Sequence, residues 1–147
     1  MKGFHEIVNG SDYQEVPGSP FPCDDGAAKS IQIIQDTLTR YPDLDGFFFS
    51  EGWSTLGAPE AYKNAMAKKK AEIASNKFVV VSFDTLPQQL QVLKDGYLTA
   101  LIGQRPFAMD AQSIDALKAD NEGKPIHNVD TGVDVVTSDK VDQFIKK

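Results

Sequence analysis

Four residues have the types and surroundings to bind a small polar molecule: Glu51, Trp53, Asp84 and Gln104. They fall just after apolar runs. Ser50-Glu51-Gly52-Trp53 follows Phe47-Phe48-Phe49, Ser82-Phe83-Asp84-Thr85 follows Val79-Val80-Val81, and Gly103-Gln104-Arg105 follows Leu101-Ile102. Carboxylates accept hydrogen bonds from hydroxyls, and an amide both donates and accepts. An indole face stacks on the apolar side of a ring. The set suits a neutral polyhydroxylated ligand such as a sugar. It suits an anion poorly, because Arg105 is the only cation near these positions. Each residue also has a plainer use. Asp84 can cap a helix starting near Leu86, Glu51 can be a solvated loop residue, and Trp53 can be packed core.

Other chemistries lack their residues. His5 and His127 are far apart, and neither has metal-ligand spacing with Cys23. Cys23 lies in a proline-rich loop without a local His to activate it. Ser82 sits inside a strand pattern, not in a G-x-S-x-G elbow. Gly52, Gly57 and Gly96 are too scattered for a phosphate loop. Binding without catalysis, metal or cofactor is the expectation.

The elements that must position these residues alternate along the chain. Phe4 to Val8 reads as the end of a helix and Tyr13 to Val16 as a weak strand, followed by a loop from Pro17 to Asp25 with three Pro. Asp24-Asp25 can cap a helix whose apolar residues are Ala27, Ile31, Ile34 and Leu38. Pro42 ends it near Tyr41. Leu44 to Phe49 reads as a short buried strand. A helix from Pro59 to about Ala74 should turn Ala61, Ala65 and Ile73 inward and leave Lys68 to Lys70 near its solvated end. Phe78 to Phe83 is the strongest strand signal. A helix through Leu86, Leu90 and Leu93 stops at Gly96. Leu98 to Ile102 is a strand, Phe107 to Leu117 a helix, and Val133 to Val136 a last strand. Ser138 can cap a tail helix. Alternation of this kind predicts a three-layer α/β/α fold with a mainly parallel sheet. In such sheets ligands bind beyond the carboxyl ends of the strands, which is where Glu51, Asp84 and Gln104 fall.

The chain has 147 residues, a formal net charge of -6 and 41% hydrophobic residues. That length fits one domain, or one lobe of something larger. No apolar run approaches the roughly 20 residues that span a bilayer. The acidic balance argues against a nucleic-acid partner, which needs clustered Lys and Arg. A single Cys cannot form an intrachain disulfide and fits either redox compartment. The first residues show no targeting signal, so either the protein is cytosolic or the start of a longer precursor is absent.

Several segments resemble one family. Pro42-Asp43-Leu44-Asp45-Gly46-Phe47-Phe48-Phe49 with Leu56-Gly57-Ala58, Val79 to Asp84, Leu90 to Gly96, Ile102-Gly103-Gln104-Arg105-Pro106, and Thr131-Gly132-Val133 to Thr137 resemble the type I, ribose-binding-like periplasmic sugar-binding proteins of ABC importers. The resemblance implies ligand contacts at Asp84 and Gln104. Glu51 stands where many members have Asn, Gly52 where they often have Asp, and Trp53 at a variable neighbouring position. It also implies that residues 1–147 are a single lobe, the C-terminal one, without its first strand and its partner lobe. The helix around Phe107 to Leu117 packs on that other lobe in the family. From this follow a sugar or polyol ligand, an ABC permease partner, a periplasmic location with the signal on the missing part, weak binding by the half-site, and self-association through an exposed sheet edge. Two alternatives share the architecture. One is the sugar-responsive core of a LacI-type repressor. The other is a receiver-like or flavodoxin-like domain using Glu51 and Asp84 as a magnesium site, although Gln104-Arg105-Pro106 stands where a receiver would want Lys.

Overall fold

A four-stranded sheet organises the protein, in the order β1 (Gly46–Phe48), β2 (Val79–Phe83), β3 (Ala100–Gly103) and β4 (Asp134–Thr137). The computed structural model describes residues 2–145. β1, β2 and β3 run parallel, with Phe47 opposite Val80 and Ser82 opposite Leu101. β4 returns antiparallel, with Val136 opposite Leu101. The mainly parallel α/β prediction therefore describes the fold. Gly46 is needed where it stands, because a Cβ there would lie 2.2 Å from the Val79 carbonyl oxygen.

The helices are α1 (Lys2–Val8), α2 (Ala27–Arg40), α3 (Trp53–Leu56), α4 (Pro59–Met66), α5 (Lys70–Ala74), α6 (Pro87–Lys94), α7 (Pro106–Asn121) and α8 (Val141–Ile145). One sheet face is fully used. Val80, Leu101 and Val136 are buried there with Ile34 of α2, Tyr62 and Met66 of α4, and Leu93 of α6. Burial of a side chain such as Leu93 contributes roughly 1.5–3 kcal/mol relative to leaving it exposed. The opposite face is thinly covered. There Phe4 of α1 stacks on Phe48, ring centroids 4.7 Å apart, while Phe48, Val79 and Val135 stay part-exposed. None of the described helices is long and apolar enough to cross a membrane.

Several local expectations change. Tyr13 to Val16 forms no strand, and Tyr13 is exposed, because no neighbouring strand offers it backbone partners. Leu44 to Phe49 contains an edge strand, not a buried one. α2 begins after Gly26, with no side-chain cap, because Asp24 and Asp25 both take positive φ and Asp24 pairs instead with Lys29. The Pro59–Ala74 helix is broken by a 3-10 turn, Ala67–Lys69. Tyr62 and Met66 turn inward in it, whereas Ala61 is exposed. Lys69 and Lys70 do not simply reach into solvent: their ammonium groups lie 5.0 Å and 4.6 Å from the ring centroids of Phe78 and Tyr97. Ser138 lies in the turn before α8, which starts at Val141. α7 buries none of its residues, and its Phe107, Ile114 and Leu117 are exposed.

Candidate functional site

The parallel strands β2 and β3 end side by side, with Phe83 opposite Ile102. The residues just beyond them meet. Gln104 Nε2 donates to Asp84 Oδ1 at 2.8 Å. Asp84 is held by its backbone as well, because its N–H donates to the Ile102 carbonyl at 2.9 Å. Its φ is 70°, in the left-handed region that side chains with a Cβ rarely enter. Residues kept in that region against a local cost cluster at ligand and active sites. Asp84 does not cap α6, whose N-cap position is Leu86. The pair presents a carboxylate acceptor and an amide at one exposed strand edge, the donor-acceptor mix that hydroxyl groups need.

Glu51 and Trp53 are placed differently. The Glu51 carboxylate accepts from the Trp53 backbone N–H and, at 2.7 Å, from Ser54 Oγ. It satisfies the start of α3, so its oxygens are already engaged. Ser54 Oγ also bonds Ser30 Oγ, which ties α2 to this turn. Trp53 is 44% exposed. Its indole stands by the α3–α4 turn, where a Cβ on Gly57 would lie 3.5 Å from Trp53 Cε3.

Arg105 is not a free cation beside the site. Its Nη2 donates to Asp134 Oδ1 at 2.7 Å and its Nε to the same oxygen at 3.2 Å. The hydrogen-bonded Asp134 carboxylate raises the guanidinium pKa further. The Arg105 charge beside the edge is therefore paired with a carboxylate. Among the described residues, no group of three His, Cys, Asp or Glu could hold a metal ion.

Beneath the edge lies a row of buried polar groups that residue types alone did not single out. Ser30, Ser54, Thr55, Ser82 and Gln89 are all buried. Thr55 Oγ1 and Ser82 Oγ are 3.3 Å apart, and Ser82 Oγ donates to the Glu51 carbonyl at 3.3 Å. These bonds lock the β1–α3 turn onto the end of β2. A signal for Gln89 was present: Gln at the third helical position commonly reaches back to the helix start. Its Oε1 does so, accepting from the Leu86 N–H at 3.1 Å.

Residues 1–125 match the family model described as a periplasmic binding protein domain. The ribose import binding protein of Salmonella typhimurium is 29% identical over 114 residues, which are 78% of this chain and 35% of that protein. A solute-binding protein of an ABC transporter from Agrobacterium vitis, solved with bound D-fucose, superposes with a TM-score of 0.75. It is 25% identical, over 97% of this chain and 47% of its own. One from Burkholderia graminis, solved with D-arabinose, is 34% identical with a TM-score of 0.63, over 80% of this chain and 40% of its own. The chain thus spans about a third of the curated relatives it matches and under half of these solved ones. With the family model covering most of its length and the sheet order laid out as above, this chain belongs to the periplasmic binding protein domain family.

Proposed function

We propose that the chain supplies one wall of a sugar site in a solute-binding protein for ABC-type import. Asp84 acts as a hydroxyl acceptor and Gln104 as an amide contact, and no reaction is catalysed. The observation that carries this is the Asp84–Gln104 hydrogen bond at the carboxyl edge of two parallel strands. Relatives that bind ribose, D-fucose and D-arabinose support the ligand class. Trp53 offers an exposed aromatic surface nearby, and Glu51 serves chiefly to build the turn beside Asp84. The apolar surface of α7 is covered by the rest of the whole protein, which acts in the periplasm with an ABC permease. The outer edge of β1 favours self-association of the chain when that covering is absent.

Two-lobed closure is what buries a ligand fully, so this chain alone binds weakly. The test is a titration of the 147-residue chain with D-ribose, D-arabinose and D-fucose, followed by amide NMR. Expected are millimolar binding to at least one sugar, shifts centred on residues 83–85 and 103–105, and loss of both in Gln104→Ala. Shifts confined to other elements, or none at tens of millimolar sugar, would overturn the proposal.

A further inference from the structure

Gln89 is fully buried (0% exposed) where the β1–α3 turn meets the β2–α6 loop. Its Nε2 donates to the Phe83 carbonyl at 2.6 Å and to Thr55 Oγ1 at 3.1 Å, and lies 3.5 Å from the Gly52 carbonyl. Its Oε1 accepts from Leu86 N–H at 3.1 Å. Phe83 O belongs to the peptide just before Asp84, and Leu86 N lies two residues after it. One side chain therefore grips both ends of the segment that holds Asp84 in its left-handed conformation. An amide is suited to this, because it donates and accepts at once.

Gly52 completes the arrangement from the facing turn. A Cβ there would lie 2.9 Å from Asp84 Oδ2 and 3.0 Å from Gln89 Nε2. Both distances are closer than ordinary packing permits, and both atoms are polar. Gly52 has φ of -91°, so its backbone does not demand glycine. The space is what matters in this chain: a side chain at position 52 would have to displace Asp84 Oδ2 and Gln89 Nε2 from where they now stand. With Oδ2 seated there, Oδ1 is the oxygen left to meet Gln104.

We propose that Gly52 and Gln89 are a positioning pair for the Asp84 carboxylate, Gln89 fixing its backbone and Gly52 leaving room for its second oxygen. The pair acts through Asp84, and its role in ligand binding rests on the assignment of Asp84 and Gln104 as the sugar contacts.

The test follows the Gln104 side-chain NH2 resonances in the 147-residue chain, because they report the bond to Asp84 directly. Gly52→Ala, Gln89→Met and Gln89→Glu are compared with Tyr62→Phe, a variant destabilised elsewhere. Gln89→Glu retains the shape and the acceptor for Leu86 N–H but sets an oxygen against the Phe83 carbonyl. Expected are Gln104 NH2 shifts toward those of a free glutamine in the first three variants, with at least a tenfold loss of D-arabinose or D-ribose affinity. Tyr62→Phe leaves both unchanged. Unmoved Gln104 resonances in folded Gly52→Ala and Gln89→Met would overturn the positioning role. If Gln89→Met does not fold, Gly52→Ala, which adds one methyl group, decides. A wild-type chain that binds neither sugar overturns the ligand assignment alone, while the Gln104 resonances still decide the positioning.

Discussion

The backbone of Asp84 makes a prediction that side-chain contacts alone would not. At φ of 70° an L-residue with a Cβ is disfavoured by about 1–2 kcal/mol relative to right-handed geometry. Glycine escapes that cost but loses more freedom on folding, about 0.5–1 kcal/mol. Asp84→Gly and Asp84→Ala both delete the exposed bond to Gln104, so its contribution cancels between them. The difference leaves the glycine variant the more stable by about 0.5–1 kcal/mol. At this chain length that is a melting-temperature gap of about 1–4 °C. Asp84→Asn tolerates the left-handed region and can still accept from Gln104, so it should lie at or above the alanine variant. Urea unfolding at equilibrium measures the difference as a change in midpoint at constant slope. The two shorter variants should both lose sugar binding, which separates stability from function at one position. An alanine variant as stable as the glycine variant would refute the reasoning, because the left-handed backbone would then carry no cost in solution.

Two further outcomes follow from groups away from the edge. Tyr62 is fully buried and its hydroxyl donates to the Tyr97 carbonyl at 2.9 Å, with burial holding the phenol pKa above its usual range. Tyr62→Phe should therefore cost about 1 kcal/mol, read as a melting-temperature fall of roughly 2–4 °C; no change would show that bond to be absent in solution. Lys63 bonds Asp95 at 2.8 Å and Glu60 at 2.8 Å. The Lys63 bond, then that of Gln91, holds Asp95 below its ordinary carboxyl value, and the bonds to Asp95 and Glu60 hold Lys63 above its own. A lowered carboxyl pKa stabilises above its unfolded value and loses that as pH falls through the folded one. A raised lysine pKa stabilises below its unfolded value and loses that as pH rises through the folded one. The stability gap between wild type and Lys63→Gln should thus be widest between about pH 4 and pH 10 and narrow at both ends. A gap that stays constant across a urea series at these pH values would count against the pairing.

Much of the architecture was legible because it depends on periodicity. Ile31 and Ile34 repeat at helical spacing and are buried on α2, and Val79 to Phe83 reads as a strand at any level of description. The departures share one cause: whether a segment forms, or buries, depends on what stands beside it. Tyr13 to Val16 has strand-like residues but no strand to pair with. α7 carries Phe107, Ile114 and Leu117 yet covers none of them, because its apolar residues find no surface within the described chain.

For the site, residue type and position in the alternating pattern were enough to single out Asp84 and Gln104 as neighbours at one strand edge. That much follows from three parallel strands ending on the same side. Chain order alone also raised the capping alternative for Asp84 and the ligand role for Glu51, and could not choose. Tertiary structure decided the capping question, since α6 starts from Leu86, and it fixed where the carboxylates turn, Glu51 to Trp53 N–H and Ser54, Asp84 to Gln104. Only packing could give Gln89 and Gly52 their meaning. A buried amide and a missing Cβ are ordinary in a sequence, and they matter here because both lie within about a hydrogen-bond length of the same carboxylate-bearing turn.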